Sequence, residues 1–410
     1  MSRFLRSRIC RELCSILIIQ MLVMGGIGQA YACSPSPNPD CLDEECECEE
    51  AGNSRSSSST SCTGCSGGNH VIQASGNLHF KLRPFKLKGI GVPVEPVFAY
   101  NSQGAKPATP YGRGWVLNYD RRLKRLKALS SGQDTKLECE NGNGGIYTYS
   151  IEPGGTTYRA KKRHLLQDSI LYASGENYIE EFKDGTKMLF IMSDDRGYIS
   201  TISDRHGNVV TIERYAGSRI RTITDSSNRT VTFEYANEKL SKIVLPSPGG
   251  GAPAPEYLFT CTATLDKYTS AEGAVTEFTY LYEYRMGSRK HAGEEVRYEC
   301  GDPEWPTKVT KRTRIIDGHT YEKTFTYYPV EMETIVEDEA GFTTATKYDD
   351  FGDTTEKTVE DQDPVESRWA ADAKPNMRTK VGGKRIASIY STRGNITYKA
   401  EKKSIQGGYE

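Results

Sequence analysis

The stretch ISTISDRHGNVVTIE at residues 199–213 lies over IRTITDSSNRTVTFE at residues 220–234, and this 21-residue offset decides the fold. The positions that differ keep their physics. Gly207 in the first copy is matched by Asn228 in the second, and these are the two residue types that best tolerate a left-handed backbone, so both copies turn there. Asp204 and Asp225 open the turn, where a carboxylate accepts backbone N–H bonds. Beyond it Val210 and Ile212, like Val231 and Phe233, alternate with Thr211 and Glu213 or Thr232 and Glu234. That is strand periodicity with one buried and one wet face, so each unit reads as strand, turn, strand.

The register continues in both directions with decay. Leu240 and Ile243 repeat the first strand; Gly273, Phe278 and Tyr280 repeat the turn and second strand after a Pro/Gly insertion at 246–255. Ile315, Asp317, Phe325 and Tyr327 fit another copy, and Asp338, Gly341 and Tyr348 one more. Residues 394–397 give a last partial match. A hairpin of this size has strands of about seven residues, roughly 23 Å long, and is marginal alone in water. Stacking successive hairpins edge to edge pairs their open backbones and buries a continuous face. The predicted class is therefore all-β, with stacked antiparallel β-hairpins forming a curved or spiralling sheet behind a disordered amino-terminal region. The 25 tyrosines and 39 glycines suit that class, since aromatic residues fit a pleated half-buried surface and glycine serves tight turns.

Upstream, Tyr100-Asn101-Ser102 is followed by a Tyr111-Gly112-Arg113-Gly114-Trp115 turn and by Tyr119-Asp120-Arg121-Arg122. Glycines at 112 and 114 allow a tight turn from which Trp115 can plug the end of a sheet. These motifs, in this order, resemble the opening module of Rhs/YD-repeat proteins, and Tyr348-Asp349-Asp350-Phe351-Gly352 is similar to the Tyr-Asp-x-x-Gly core of their repeats. The resemblance covers about Gly76 to Thr358. It implies a long sheet spiralling into a hollow shell that encloses a carboxy-terminal effector. The family's closing core region and its effector are not found after about Pro364, which reads as a fragment, a degraded copy or a stand-alone amino-terminal piece.

The amino terminus reads as an address for export. Arg3, Arg6, Arg8 and Arg11 precede an apolar run from Ile16 to Ile27, and Ala30-Tyr31-Ala32 supplies the small-x-small cleavage pattern. The run falls short of the roughly 20 apolar residues of a spanning helix. Cys33, directly after the cleavage site, is a lipidation candidate, although Ala30 stands where the lipoprotein motif usually has leucine. Membrane association is expected only if Cys33 is lipidated or the signal stays uncleaved. With Cys33 acylated, eight later cysteines form an even set that could all pair, namely Cys41, Cys46, Cys48, Cys62, Cys65, Cys139, Cys261 and Cys300. The first five have spacing that also fits a zinc cluster, but an oxidising compartment favours disulfides, and no metal is assigned.

Composition and motifs exclude more than they name. Lys plus Arg number 53 against 54 Asp plus Glu, so no basic excess draws the chain to nucleic acid. No nucleophile elbow, zinc-protease helix, phosphate loop or dinucleotide fingerprint occurs. No catalytic residue, cofactor or metal site is assigned. His206 sits in a repeat turn whose other copy carries Ser227, a variable position unsuited to a catalytic base. The basic cluster Arg121, Arg122, Lys124, Arg125 and Lys127 reads as a solvated strand face. Carboxylate pairs at Asp194-Asp195 and Asp349-Asp350 read as turns. The expected organisation is a signal peptide at 1–32, a Cys/Ser/Pro-rich tether at 33–69, an Rhs-like β module at 70–180, repeats at 181–363 and a polar tail with a partial repeat at 364–410. The expected function is a non-enzymatic scaffold, secreted or in the cell envelope, with an enclosed polypeptide effector or cell-surface glycans as partners. A carbohydrate-binding module using exposed tyrosines, and a hydrolase with its site in 128–178 or 365–410, are the alternatives.

Overall fold

The computed structural model describes residues 69–402, apart from 105–107, 127–135, 152–154, 161–168, 217, 302–305, 350–351, 353, 360–364, 370–374, 381–383 and 391–395. The signal segment, Cys33, the tether and the cysteines up to Cys65 lie outside the described residues. Among those described there is no α-helix, and no helix is long and apolar enough to cross a membrane. The fold is all-β and its strand pairs are antiparallel.

The first four strands form a small sheet in sequence order: β1 (Asn69–Ile72), β2 (Asn77–Leu82), β3 (Phe98–Asn101) and β4 (Trp115–Leu117). Eight more follow: β5 (Arg122–Leu126), β6 (Lys136–Glu140), β7 (Ile146–Ile151), β8 (Thr157–Ala160), β9 (Ile170–Ser174), β10 (Asn177–Glu181), β11 (Lys187–Ser193) and β12 (Arg196–Ser203). Each pairs with the next, and β12 returns to β5 through Arg196 opposite Lys124, Gly197 opposite Leu123 and Tyr198 opposite Arg122. The eight strands thus close on themselves, a size whose interior side chains can fill.

β12 belongs to two structures at once. Its first half closes this ring, while Thr201, Ile202 and Ser203 pair on the same edge with Thr211, Val210 and Val209 of the strand Val209–Arg214. From there antiparallel hairpins follow in chain order to the strand Ile396–Lys402. Residues 365–402, polar in composition, add four further strands. The alternation in the repeats is the one the sequence spells. Val210, Ile212, Val231 and Phe233 are buried, while Thr211 and Glu234 are exposed.

The same face of the sheet continues through Tyr257, Phe259, Tyr268, Phe278, Val296, Tyr298 and Phe325, all buried. Part of its cover comes from the small sheet. Phe80 and Trp115 pack on Phe278, Phe98 on Phe259, and Tyr100 on Tyr280, with ring centroids 5.2 to 6.1 Å apart. Inner-face residues and the β1–β4 sheet thus share one apolar core.

Candidate functional site: repeat turns, ring interior and the seat of the small sheet

The repeat turns share one backbone geometry. Asp204 N donates to Asn208 O at 3.1 Å and Gly207 N donates back to Asp204 O at 3.2 Å. The same two bonds join 225–229 and 338–342. Gly207, Asn228 and Gly341 have φ of 83°, 59° and 82°. This is a three-residue hairpin loop, a type I turn followed by a left-handed residue. Asp204 Oδ1 accepts the amides of His206 and Asn208 at 2.8 and 3.0 Å, and Asp338 Oδ1 those of Ala340 and Phe342, both at 3.0 Å. Hydrogen bonds from Asn208, its side chain foremost, hold Asp204 below the ordinary carboxylate pKa.

Asp225 is more deeply set. Its Oδ1 accepts from Ser227 N and Arg229 N at 2.9 Å and its Oδ2 from Arg229 Nε at 2.8 Å. Burial pushes its pKa up, but the Arg229 amide and guanidinium outweigh that and hold it down. Arg229 Nη2 also donates to Lys88 O, and Ser226 Oγ to Ile90 O, so this turn ties down the segment between β2 and β3.

Two turns depart from the sequence reading. Asp317, aligned with the turn-opening carboxylates, is itself left-handed at φ 50° and precedes Gly318 at φ 78°; Ile316 pairs with His319, giving a two-residue turn instead. Asn141, outside the repeat register, opens a loop of the Asp204 kind, with Asn141 N donating to Gly145 O at 2.9 Å. The run Asn141-Gly142-Asn143-Gly144-Gly145 is the signal that would have found it.

The ring holds a buried ion pair where the sequence suggested a solvated basic face. Arg121 and Glu180 are 5% and 0% exposed. Arg121 Nε donates to Glu180 Oε2 at 2.9 Å and Nη2 to Oε1 at 2.6 Å. Tyr149 OH and Ser169 Oγ each donate to Oε1 at 2.8 Å. The expectation failed because strand alternation is read from apolar residues, and Arg121 stands just before β5 where the chain turns inward. Leu123 and Leu137 fill the ring beside it. Cys139 lies in the same interior, where burial pushes its thiol pKa up to about 12. Cys139, Cys261 and Cys300 are free thiols, against the notion that all eight later cysteines pair. Both carboxylate oxygens of Glu180 are thus taken up by Arg121, Tyr149 and Ser169 within the ring.

The small sheet is seated by polar contacts as well as rings. Trp115 Nε1 donates to Tyr280 OH at 2.9 Å, and that hydroxyl donates to Leu265 O at 2.7 Å. Met286 N donates to Tyr100 OH at 2.7 Å, and Arg113 N to Ala263 O at 2.9 Å. Gly112, φ 97°, lies so close to the sheet that a Cβ would stand 2.5 Å from Leu265 N and Thr264 C. The Tyr-Asn-Ser motif forms a buried clasp. Ser102 Oγ accepts from Leu78 N at 2.8 Å and donates to Asn77 Oδ1 at 3.0 Å, while Asn77 Nδ2 donates to Asn101 Oδ1 at 3.1 Å. Asn101 Nδ2 reaches on to Asn143 O at 2.8 Å and so joins the clasp to the ring. Among the described residues no cluster of His, Cys, Asp or Glu is arranged to hold a metal ion.

These features define an all-β chain in which a closed ring of strands passes into a stacked-hairpin sheet seated against a small four-stranded sheet. Residues 68–148 match a family described as a domain of unknown function, DUF6531. No curated protein matches the chain in sequence. Among solved structures, the crystal structure of TcdB2-TccC3-Cdc42 aligns over 80% of this chain and 22% of that chain, at 9% identity and a TM-score of 0.36. The Tc holotoxin pore of Photorhabdus luminescens aligns over 81% of this chain and 20% of that one, at 7% identity and a TM-score of 0.34. The N-terminal domain of effector protein SpvB from Salmonella typhimurium strain LT2 aligns over 65% of this chain and 100% of that one, at 12% identity and a TM-score of 0.22. The chain thus spans about a fifth of the length of the toxin chains it aligns with.

Proposed function

We propose that this chain is an exported, non-enzymatic Rhs/YD-type scaffold, a segment of a β shell that holds a polypeptide on its inner face. The observation that carries the reading is the division of labour within one sheet. β12 anchors it in a closed ring, and successive hairpins extend it. The buried polar groups described above serve that closure and seating. Signal-directed export through residues 1–32 and lipidation at Cys33 belong to the same proposal. Fractionation of cells expressing the full chain, with mass determination of the mature amino terminus, tests it. The expected result is protein outside the cytoplasm beginning at Cys33, with or without an added lipid mass. Cytoplasmic protein that retains Met1 contradicts export, and turnover of broad hydrolase substrates contradicts the non-enzymatic part.

A second reading, a glycan-binding module, has one observation in its favour. Tyr282 is 82% exposed, and its neighbour Tyr284 is stacked under the Arg113 guanidinium at 4.6 Å. Aromatic faces of this kind can stack on sugar rings. Glycan-array binding that disappears in Tyr282→Ala would favour this module over a shell alone.

A further inference from the structure

The turn joining the strands Val275–Tyr280 and Met286–His291 is unlike its neighbours. Glu283 and Tyr284 are both left-handed, with φ of 57° and 62°. That conformation sets Cβ against a carbonyl oxygen, so glycine, asparagine and aspartate take it most readily. Every other adjacent left-handed pair among the described residues includes one of these, as Asn237-Glu238, Ala292-Gly293 and Asp317-Gly318 do. Glu283-Tyr284 includes none. Backbone strain of this kind persists only where the surroundings over-determine it, and it gathers at functional sites. The small sheet supplies part of the hold: Tyr100 OH donates to Tyr284 O at 3.1 Å and accepts from Met286 N at 2.7 Å. Within the turn, Leu281 N donates to Arg285 O at 2.6 Å, and the buried Arg285 pairs with Glu283.

What the strain fixes is an open aromatic surface. Tyr282 is 82% exposed, Leu281 46% and Tyr284 43%. The Arg113 guanidinium lies over the Tyr284 ring, 4.6 Å from its centroid. Arg113 is set from its own side as well, since its N–H donates to Ala263 O and Gly112 before it is pressed against Thr264 and Leu265. Among the described residues its side chain makes no ion pair and no hydrogen bond, only the contact with Tyr284. Glu283, in contrast, already has Arg285 as its counter-ion. The turn therefore offers one planar, unpaired cation beside a solvent-facing tyrosine, on two backbones fixed before any ligand arrives. Such preorganisation lowers the entropic cost of binding.

We propose that Arg113 and Tyr282 form a site for a carboxylated sugar ring, a unit of an acidic glycan. The guanidinium fork takes the carboxylate, the Tyr282 ring takes the C–H face of the sugar, and Tyr284 positions the arginine. The inference rests on the glycan-binding reading and names the class of glycan. Parallel N–H donors of arginine match a carboxylate in a bidentate pair, and an aromatic face takes an apolar one. An extended polyanion is gripped by several cations in a row. Here a single guanidinium stands beside a tyrosine and the Glu283 carboxylate, which suits one negative charge carried on a ring and disfavours a string of charges.

The test is isothermal titration calorimetry of the full chain with tetragalacturonate, beside two controls. Its methyl ester keeps the rings and loses the charges; oligoglutamate keeps the charges and loses the rings. Tetragalacturonate is expected to bind, the ester to bind about tenfold or more weakly, as loss of hydrogen bonds to a charged group predicts, and oligoglutamate not to bind. Arg113→Gln should weaken tetragalacturonate by about tenfold and leave the ester unchanged, Tyr282→Ala should weaken both, and Tyr321→Ala, at an exposed tyrosine on another strand, should bind like the parent. Circular dichroism of each variant checks the fold; should Arg113→Gln unfold, the comparison of acid with ester in the parent carries the test. Equal binding of acid and ester, parent-like binding by Arg113→Gln, or oligoglutamate binding as tight as the sugar's overturns the inference. If acid and ester bind alike and Tyr282→Ala loses both, the carboxylate chemistry alone fails and the glycan-binding reading stands, whereas a folded chain that binds neither sugar refutes both.

Discussion

At the scale of single residues, the turn-opening aspartates show how a short polar side chain fixes a hairpin. Asp225 satisfies two loop amides and the Arg229 guanidinium at once, so Asp225→Ala leaves three half-buried donors without this acceptor. The expected loss is about 1–2 kcal/mol of stability by urea unfolding. Its folded pKa is lowered, so its contribution is complete above the ordinary carboxylate pKa near ~4 and fades as pH falls through its own lower value. Unfolding midpoints of parent and Asp225→Asn should therefore converge on acidification through that window, and a constant gap contradicts the assignment. Gly112 makes a different demand. Gly112→Ala must displace the backbone at Thr264 and Leu265 as well as adopt φ 97°, and should destabilise by about 2 kcal/mol or more.

At the scale of elements, the ring closure depends on a pair of charges that the sequence hid. Removing one partner of a buried ion pair strands the other, a cost of about 3–5 kcal/mol. Glu180→Gln should lower the urea midpoint accordingly, whereas an exposed pair such as Arg221 with Glu213 should give almost nothing when broken. The repeat hairpins were legible because Val210, Ile212, Val231 and Phe233 alternate cleanly with polar residues and because Gly207 and Asn228 mark the turns. The ring was not legible. Its strands mix Tyr, Cys, Glu and Lys, and its closure joins Gly197 to Leu123 across a long sequence separation that no local pattern encodes. Arg121 looked like surface for the same reason, since its partner Glu180 lies 59 residues away. The clasp made by Asn77, Asn101 and Ser102 was half legible. The motif was visible, but the role of Asn77 required the pairing of β2 with β3.

At the scale of the molecule, the chain joins three things: a ring, a hairpin sheet growing from one of the ring's strands, and a small sheet seated on the buried face of those hairpins. The central claim is that this seat holds the sheet together, with Trp115 at its centre and 0% exposed. Trp115→Ala should cost about 3–5 kcal/mol. If the seat binds the hairpins into one cooperative body, the loss will be felt along them rather than at the tryptophan alone. Amide hydrogen exchange of the full chain, read peptide by peptide, measures this directly. The account predicts strong protection over 256–261, 275–280 and 294–299 in the parent and a joint loss of protection across all three in Trp115→Ala. Protection that stays unchanged in those hairpins while only 111–117 opens would contradict it.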